Sequence, residues 1–527
     1  MPRDASAAGS SGSAGTGWAR SIILVLASAA LHALAFPGWD LTFVAWFALV
    51  PFLLALRGAT VGRGCVLGLL WGSAAIWGVG HWVPQAFAEY YLQPLWFGVA
   101  FALSASVIFA GSYSAGFAAT SCWFSGRIHG ATRVVLTAVA WVAWELARAQ
   151  LLTGDPWLLL GYALVPTTSL IQVADLGGVY LLSFIVVLTN AALAEAVHAR
   201  GRPGAVARAL VPAVAVLVLA ATYGIVRQAT LELPSPDDRV IIVQGNNDLG
   251  TQWREEFHGT GLNEYLRTTF EAAERSEPAL VVWPESAVTF FLAHEPRFRR
   301  GIARVLESVG ADLLVGGPHH DGSDRAQPAY YNSAFHVRQN GSISGRYDKR
   351  HLLPFAEYFP LRMIEFLRRR FERVRYFTPG DGPVVLDTSL GPVAPVICFE
   401  GIFPEIVRVP MTQGAQLLVN LSNDAWLGRG PGAAQHLAMV TLRAVEHRVW
   451  LVRATTSGIS AFVDPMGRER GRTPMFEAAV LEQRVAPIDI ETVYERYGDA
   501  FAYACLAVLI AAGFVLVRGP RRETDAG

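Results

Sequence analysis

Apolar stretches near 21–36, 41–57, 64–84, 94–121, 134–149, 178–197 and 208–226 fill most of the first 230 residues, and an eighth lies at 499–517. Each approaches or exceeds the roughly 17–25 residues a helix needs to cross a bilayer core. With 52% hydrophobic residues and a positive mean hydropathy, the chain is too apolar for a water-soluble protein. Charge divides it: residues 1–230 hold 18 Asp, Glu, Lys and Arg, and the remaining 68 fall in residues 231–527. The pattern predicts a polytopic α-helical membrane domain, a water-facing half and one closing span. The first stretch ends in "LHALA", which resembles a signal-peptide cleavage site. A Gly/Ser-rich leader precedes it and six spans follow, so it is read as a retained helix.

Basic residues sort the loops. Arg3 and Arg20 precede the first span, Arg57 and Arg63 follow the second, Arg127 and Arg133 follow the fourth, and Arg200, Arg202 and Arg208 follow the sixth; 37–40 and 85–93 carry none. Under the positive-inside rule both termini are cytoplasmic and residues 228–498 lie on the far side. The expected organisation is a disordered cytoplasmic tail (1–18), a membrane domain of seven helices (19–227), an exported domain (228–498), an eighth helix (499–517) and a cytoplasmic tail (518–527). Zero formal net charge argues against a nucleic-acid partner, which calls for a strongly basic face.

The exported half alternates strands with helices. Short apolar runs appear at 239–245, 279–285, 311–317, 394–400, 415–422 and 449–456, with helical patterns at 253–275, 295–309 and 433–447. This is an α/β layered domain whose strands are buried on both faces. Three elements end in a reactive side chain: "VVWPE" in Glu285, "VICFE" in Cys398, and "YDKRHLLPF", after the strand-like "YYNSAFHV", in Lys349. Lys349 is the only lysine of the chain; the other 42 basic residues are arginine. A compact ammonium can hold a thiolate or an oxyanion and exchange a proton, which the wide, permanently charged guanidinium cannot. A thiol nucleophile needs a base and such a cation, and Glu, Lys and Cys supply the set. Cys398 is also the only cysteine of the exported half, since Cys65, Cys122 and Cys505 fall in spans. "PHHD" lacks the spacing of a metal site, and no P-loop or GxGxxG is present, so neither metal, nucleotide nor other cofactor is expected.

In the contexts "WPE", "YDK" and "ICFE", Glu285, Lys349 and Cys398 resemble the Glu-Lys-Cys triad of the nitrilase (carbon-nitrogen hydrolase) superfamily, over residues 239 to about 490. Seven spans before such a domain and one after it resemble the membrane branch of that superfamily, the apolipoprotein N-acyltransferases. "VQGNNDLGTQW", "YDKRHLLPFAEYFP", "SNDAWLG", "GDPWLLLGYAL" and the long "QHLAMVTLRAVEHRVWLVRATTSGISAFVDPMG" extend the likeness over nearly the whole chain. The resemblance implies an αββα sandwich on a membrane bundle, with Glu285 as general base, Lys349 as stabiliser of oxyanion and thiolate, and Cys398 as nucleophile. It implies that Glu357 orients the lysine and that Trp157, Trp253 and Trp426 lie near a lipid-facing cleft. Phe399 stands where the family often has Tyr, which leaves packing against an acyl chain as its role. Glu400 either contacts the incoming amine or anchors its loop.

The implied reaction passes an acyl chain from a phospholipid, through a Cys398 thioester, to the α-amine of an S-diacylglyceryl cysteine at a lipoprotein N-terminus, on the outer face of a bacterial inner membrane. The alternative is a membrane-anchored amidase that hydrolyses the same thioester; seven spans exceed what anchoring a hydrolase requires. The segment 360–377 alternates apolar residues with arginines and is either an interfacial lid or an ordinary amphipathic helix on the domain surface.

Overall fold

The computed structural model describes residues 11–247, 254–274, 276–322, 328–361, 363, 365, 369–371 and 374–518. Six of the described helices are long and apolar enough to cross a membrane: Gly17–Leu34, Leu95–Ser125, Gly130–Gln150, Ala174–His198, Pro203–Thr230 and Ala500–Arg518. Val61–Val79 and Val83–Tyr91, bent by 64°, make a seventh if the pair is one crossing. The helices Pro203–Thr230 and Ala500–Arg518 leave much apolar surface uncovered, such as Val515 at 70% exposure, as suits contact with lipid rather than water.

Two expected boundaries are corrected. The stretch 41–57 is not one continuous helix: a 3-10 turn at Thr42–Trp46 precedes the short helix Val50–Ala55. Pro51, which lacks an N–H, sits in the first turn of that helix, where no intrahelical partner is needed, and so marks a fresh start. The broken segment still carries the chain from one end of the bundle to the other. At one end, Gln435 of the α/β half donates to the Pro37 carbonyl at 3.1 Å; at the other, Arg57 pairs with Glu195 and the Leu56 carbonyl accepts from Cys122 Sγ at 3.5 Å. The described part of the N-terminal helix begins at Ser11, inside the stretch 1–18 expected as a tail. Arg63 fixes that end by donating to the Gly17 carbonyl at 2.6 Å and lying 4.5 Å over the Trp18 ring. Residues 1–10 and 519–527 of the expected tails lie outside the described residues.

The α/β half contains twelve strands: β1 (Asp238–Gln244), β2 (Leu280–Val282), β3 (Asp312–His320), β4 (Tyr330–Val337), β5 (Ile343–Asp348), β6 (Leu386–Thr388), β7 (Gly391–Ile397), β8 (Leu417–Ser422), β9 (Trp450–Thr455), β10 (Ala461–Val463), β11 (Glu469–Arg472) and β12 (Ala479–Val485). They form two sheets, ordered β12-β1-β2-β3-β4-β5 and β11-β10-β9-β8-β7-β6. Within them β1-β2-β3 and β7-β8-β9 are parallel. Alternation along β1 shows how the layers arise. Val240 and Ile242 join Val393, Val419 and Val452 between the sheets, while Ile241 and Val243 pack outward against Leu262, Tyr265 and Leu306 of the helices Glu255–Ala273 and Pro296–Val309. Helices Pro404–Thr412 and Gly432–His447 cover the second sheet, completing the αββα sandwich.

Gly432–His447 is buried along its length because its other side packs on the membrane helices. Met439, Val440 and Val445 share one continuous core with Leu164, Ile185 and Val186 of the bundle. Its polar side chains are paired across the junction. Arg443 donates to Tyr162 Oη and bridges Glu446, both at 3.0 Å, and Glu446 accepts the Val179 N–H at 3.2 Å. Just beyond the helix, Arg448 pairs with Asp175 at 2.8 Å and donates to the Gln172 carbonyl at 3.1 Å. Neither Arg448 nor Asp175 is more than 2% exposed, and a buried charge left without its partner is strongly destabilising.

Candidate active site

Glu285, Lys349 and Cys398 converge from three strand ends, where open α/β sheets gather their chemistry. Glu285 follows β2 on the turn "WPES". β3 runs so close beneath this turn that a Cβ on Gly316 would lie 2.5 Å from the Glu285 Cα and 2.6 Å from the Pro284 carbonyl oxygen. Only glycine fits there. Lys349 follows β5 and prolongs its ladder: its N–H donates to the Asn332 carbonyl, and its carbonyl accepts from Gly380 N–H, both at 2.8 Å. Cys398 ends β7 at φ +54°, a left-handed backbone rare for a non-glycine residue. Such strain persists only where surrounding structure imposes it. Here Asn420 Nδ2 donates to the Cys398 carbonyl at 3.3 Å, and Glu400 accepts the Ile397 N–H at 2.8 Å.

The three groups are buried, at 7% exposure for Glu285, 1% for Lys349 and 3% for Cys398. The Lys349 ammonium lies 2.8 Å from Glu357 Oε2, donates to Glu357 Oε1 at 2.9 Å, and is 3.8 Å from Glu285 Oε1. Asn332 Nδ2 bridges the two carboxylates, donating to Glu285 Oε1 at 2.7 Å and to Glu357 Oε1 at 2.8 Å. Glu285 Oε2 has no hydrogen-bond partner of its own among the described residues, and the Cys398 thiol is among the groups that act on this carboxylate. Burial pushes the thiol up to about 12, helped by the Glu285 charge and opposed by Lys349. Burial also raises the Glu285 carboxyl, against the pull of Lys349 and with the like charge of Glu357. For Lys349 burial works against the ammonium, but Glu357 and then Glu285 outweigh it and hold the group charged. Burial thus favours the neutral thiol at rest, while the two carboxylates favour the charged form of Lys349.

The remaining expected residues separate. Glu357, Phe399, Trp157 and Trp426 line one cavity of about 690 Å³ together with the three central groups. Glu400 is fully buried and does not line it. Its carboxylate accepts from Tyr347 Oη and Arg350 N–H at 2.8 Å and His351 N–H at 3.0 Å, tying the lysine loop to the cysteine turn, which favours the anchoring alternative. Trp253 lies outside the described residues. The rest of the cavity wall is shared: Trp77, Phe87, Tyr90, Phe101 and Phe109 come from the membrane half, and Leu353, Phe355, Val374 and Phe377 from the α/β half. Of the segment 360–377, Phe371 and Val374 are buried against Tyr91 and Phe97, while Met363 is 99% exposed; residues 362, 364, 366–368, 372 and 373 lie outside the described residues.

Sequence reasoning missed Asn332, although an asparagine inside "YYNSAFHV" is a polar interruption of a buried strand. It also missed the ion cluster beneath Cys398: Arg453 of β9 donates to Asp424 at 2.7 Å, with His436 3.1 Å from the same carboxylate, all fully or almost fully buried. The signal was an arginine within the apolar "VWLVRATT".

Residues 242–495 match the carbon-nitrogen hydrolase family, and residues 28–192 match the apolipoprotein N-acyltransferase N-terminal domain. The chain is 36% identical over 497 residues to the apolipoprotein N-acyltransferase of Geobacter metallireducens, covering 93% of this chain and 94% of that one. It is 33% identical over 515 residues to the enzyme of the same name from Azotobacter vinelandii, covering 95% and 96%. An amidase of Nesterenkonia from the nitrilase superfamily superposes with a TM-score of 0.39 and 18% identity, over 52% of this chain and 98% of that one. A likeness that runs through the membrane bundle as well as the sandwich identifies the chain as a member of the apolipoprotein N-acyltransferase family.

Proposed function

We propose that this acyltransferase works by a thioester relay centred on Cys398. Glu285 takes the thiol proton as the sulfur attacks an ester carbonyl of a phospholipid. Lys349 and the Phe399 N–H hold the oxyanion. The tetrahedral adduct collapses by breaking the carbon–oxygen bond to glycerol, and Glu285 returns the proton to the leaving alkoxide. Lysophospholipid departs and a Cys398 thioester remains. In the second half the free α-amine of an S-diacylglyceryl cysteine attacks the thioester carbonyl; Glu285 accepts the amine proton, the carbon–sulfur bond breaks, and the thiolate recovers that proton. One difficult exchange becomes two easier ones, since a thioester is more reactive toward an amine than the starting ester.

The observation that carries this reading is the shared cavity. Its polar end holds Cys398, Glu285 and Lys349, and membrane helices supply a large share of its apolar wall, so an acyl chain can lie against that wall with its carbonyl at the thiol. The same arrangement supports a site fed by lipids moving within the bilayer, and the arginines of alternate loops support its place on the outer face with both termini cytoplasmic. Hydrolysis by a membrane-anchored amidase is less well supported, because a water-using enzyme has no need of that wall. Glu357 is assigned the role of holding Lys349, and Phe399, Trp157 and Trp426 that of packing against the acyl chain.

Intact mass spectrometry after incubation with phospholipid tests the relay. One fatty acyl group should add to the wild type, be removed by hydroxylamine, transfer to a diacylglyceryl-cysteine peptide, and be absent from Cys398→Ala. An adduct that persists in Cys398→Ala, or no adduct at all, overturns the mechanism.

A further inference from the structure

The cavity has a charge problem. Three carboxylates line it, Asp155, Glu285 and Glu357, and a phospholipid brings a fourth anion, its phosphodiester, within one glycerol unit of the ester to be attacked. Among the described lining residues only Lys349 and Arg375 are cationic. Lys349 is held by both oxygens of Glu357 and must meet the oxyanion, so it cannot also serve the phosphate.

Arg375 lines the same cavity as Glu285, Lys349 and Cys398. Its segment is fixed to the catalytic loop by two backbone hydrogen bonds, Arg375 N–H to the Ala356 carbonyl and Phe377 N–H to the Glu357 carbonyl, each 3.0 Å. Val374 beside it is buried in the aromatic cluster with Phe371, Tyr91 and Phe97, which seats the segment against the membrane helices. Tyr90 of the helix Val83–Tyr91 lines the same cavity. The side chain is half-buried, and desolvation lowers its pKa while Tyr90, Glu285 and Glu357 raise it, so its charge is felt at both the membrane wall and the catalytic carboxylates. A guanidinium offers paired N–H donors that match phosphate oxygens.

We propose that Arg375 is a subsite for the phosphodiester of the acyl donor. This rests on the relay above and adds a division of labour. The donor carries a phosphate and the diacylglyceryl acceptor does not, so Arg375 selects lipid in the first half-reaction and releases the phosphate with the lysophospholipid. The acceptor then meets a cavity from which the donor's anion is gone.

The test compares acyl-enzyme formation from a phosphatidyl donor and from a diacylglycerol of the same chains, in wild type, Arg375→Gln and Arg375→Lys, by rapid-quench mass spectrometry. Arg375→Gln should lower the ratio of kcat/KM for the phosphatidyl donor over the neutral donor by about 10- to 100-fold, the worth of a charge-assisted hydrogen bond. Arg375→Lys, which keeps the charge but not the fork, should fall between. Discharge of preformed acyl-enzyme onto the lipopeptide should not follow that ratio. An unchanged ratio overturns the proposal. So does an equal slowing with both donors accompanied by a displaced acid limb, which would mean that Arg375 acts on Glu285 and Glu357 instead. If the wild type forms no thioester from either donor, the relay itself has failed rather than the subsite.

Discussion

Replacing Glu285 by Gln should move two properties of Cys398 in opposite directions. In the wild type the thiol is pushed up to about 12, first by burial and then by the Glu285 charge, while Lys349 opposes both. At pH 8 about one site in 10,000 then carries a thiolate, by the tenfold-per-pH-unit rule. Removing a unit charge roughly 4–6 Å away, at an effective dielectric of about 20, is worth about 3–4 kcal/mol, or at least a 100-fold gain in thiolate at fixed pH. Glu285→Gln should therefore be alkylated by iodoacetamide about 100-fold faster than wild type at pH 8. Thioester formation from phospholipid should fall by about 10²–10⁴, because the base is gone. Wild-type alkylation should rise about tenfold per pH unit from 7 to 10. The assay is time-resolved intact mass of the purified protein, in which the thiols of Cys65, Cys122 and Cys505 are controlled by Cys398→Ala. The reasoning is refuted if wild-type Cys398 is alkylated rapidly and independently of pH, which would mean a resting thiolate–lysine pair. It is refuted equally if Glu285→Gln slows alkylation and turnover together.

Three further outcomes follow from the same geometry. A base must be ionised to act, and burial raises the Glu285 carboxyl; activity should thus fall away as pH drops through a midpoint above 4.5, and a pH profile with its acid limb at or below 4.5 contradicts the assignment. Glu357→Gln removes the strongest carboxylate support of the Lys349 ammonium, so its pKa should drop, bringing the alkaline limb of activity down and cutting turnover at least tenfold, on the order of one lost catalytic electrostatic contact; an unmoved limb in the pH profile sinks this role. Asp175→Asn leaves buried Arg448 without its counter-charge and should destabilise the protein by about 3–5 kcal/mol, and thermal melting in detergent indistinguishable from wild type would show that the junction does not depend on that pair.

How far these features can be read from the sequence depends on how local their causes are. Strands β1, β3, β4, β7, β8 and β9 and the helix Gly432–His447 lie within a few residues of the apolar runs that announce them, because burial on both faces writes itself into consecutive residues. Strands β10, β11 and β12 escaped: β11 and β12 read "ERGR" and "AVLEQRV", whose polar faces carry little hydrophobic signal, and β10 has three residues. The grouping of the three candidate residues was legible since Glu285 and Cys398 each close an apolar run, and Lys349 stood out because arginine fills every other basic position. Asn332 was not. Its value lies in bridging Glu285 and Glu357, residues 47 and 25 positions away, and no local pattern encodes such a contact. The break at Thr42–Ala55 was hidden for a different reason, because hydropathy averages over a turn that Pro51 restarts.

The junction explains why the two halves form a single catalytic unit. A tethered hydrolase would keep its core to itself and touch the membrane through polar loops. Here Gly432–His447 carries the second sheet on one side and the bundle on the other, so the apolar interior passes from Val396 and Leu418 through Val440 to Ile185 without a polar boundary. Its charged residues are matched on the opposite side by Tyr162, Asp175 and the Val179 N–H, which leaves little freedom to slide. The helix begins beside the cavity: Gln435 accepts from Trp82 Nε1 at 3.2 Å and Trp157 Nε1 at 3.4 Å, two of the cavity's membrane-side tryptophans. A rigid junction fixes the apolar wall relative to Cys398. That register matters because the proposed relay has one cavity bring first an ester carbonyl to the Cys398 sulfur and then an amine to the thioester formed there, and a displacement of even about 1 Å in such a site costs on the order of 100-fold in rate.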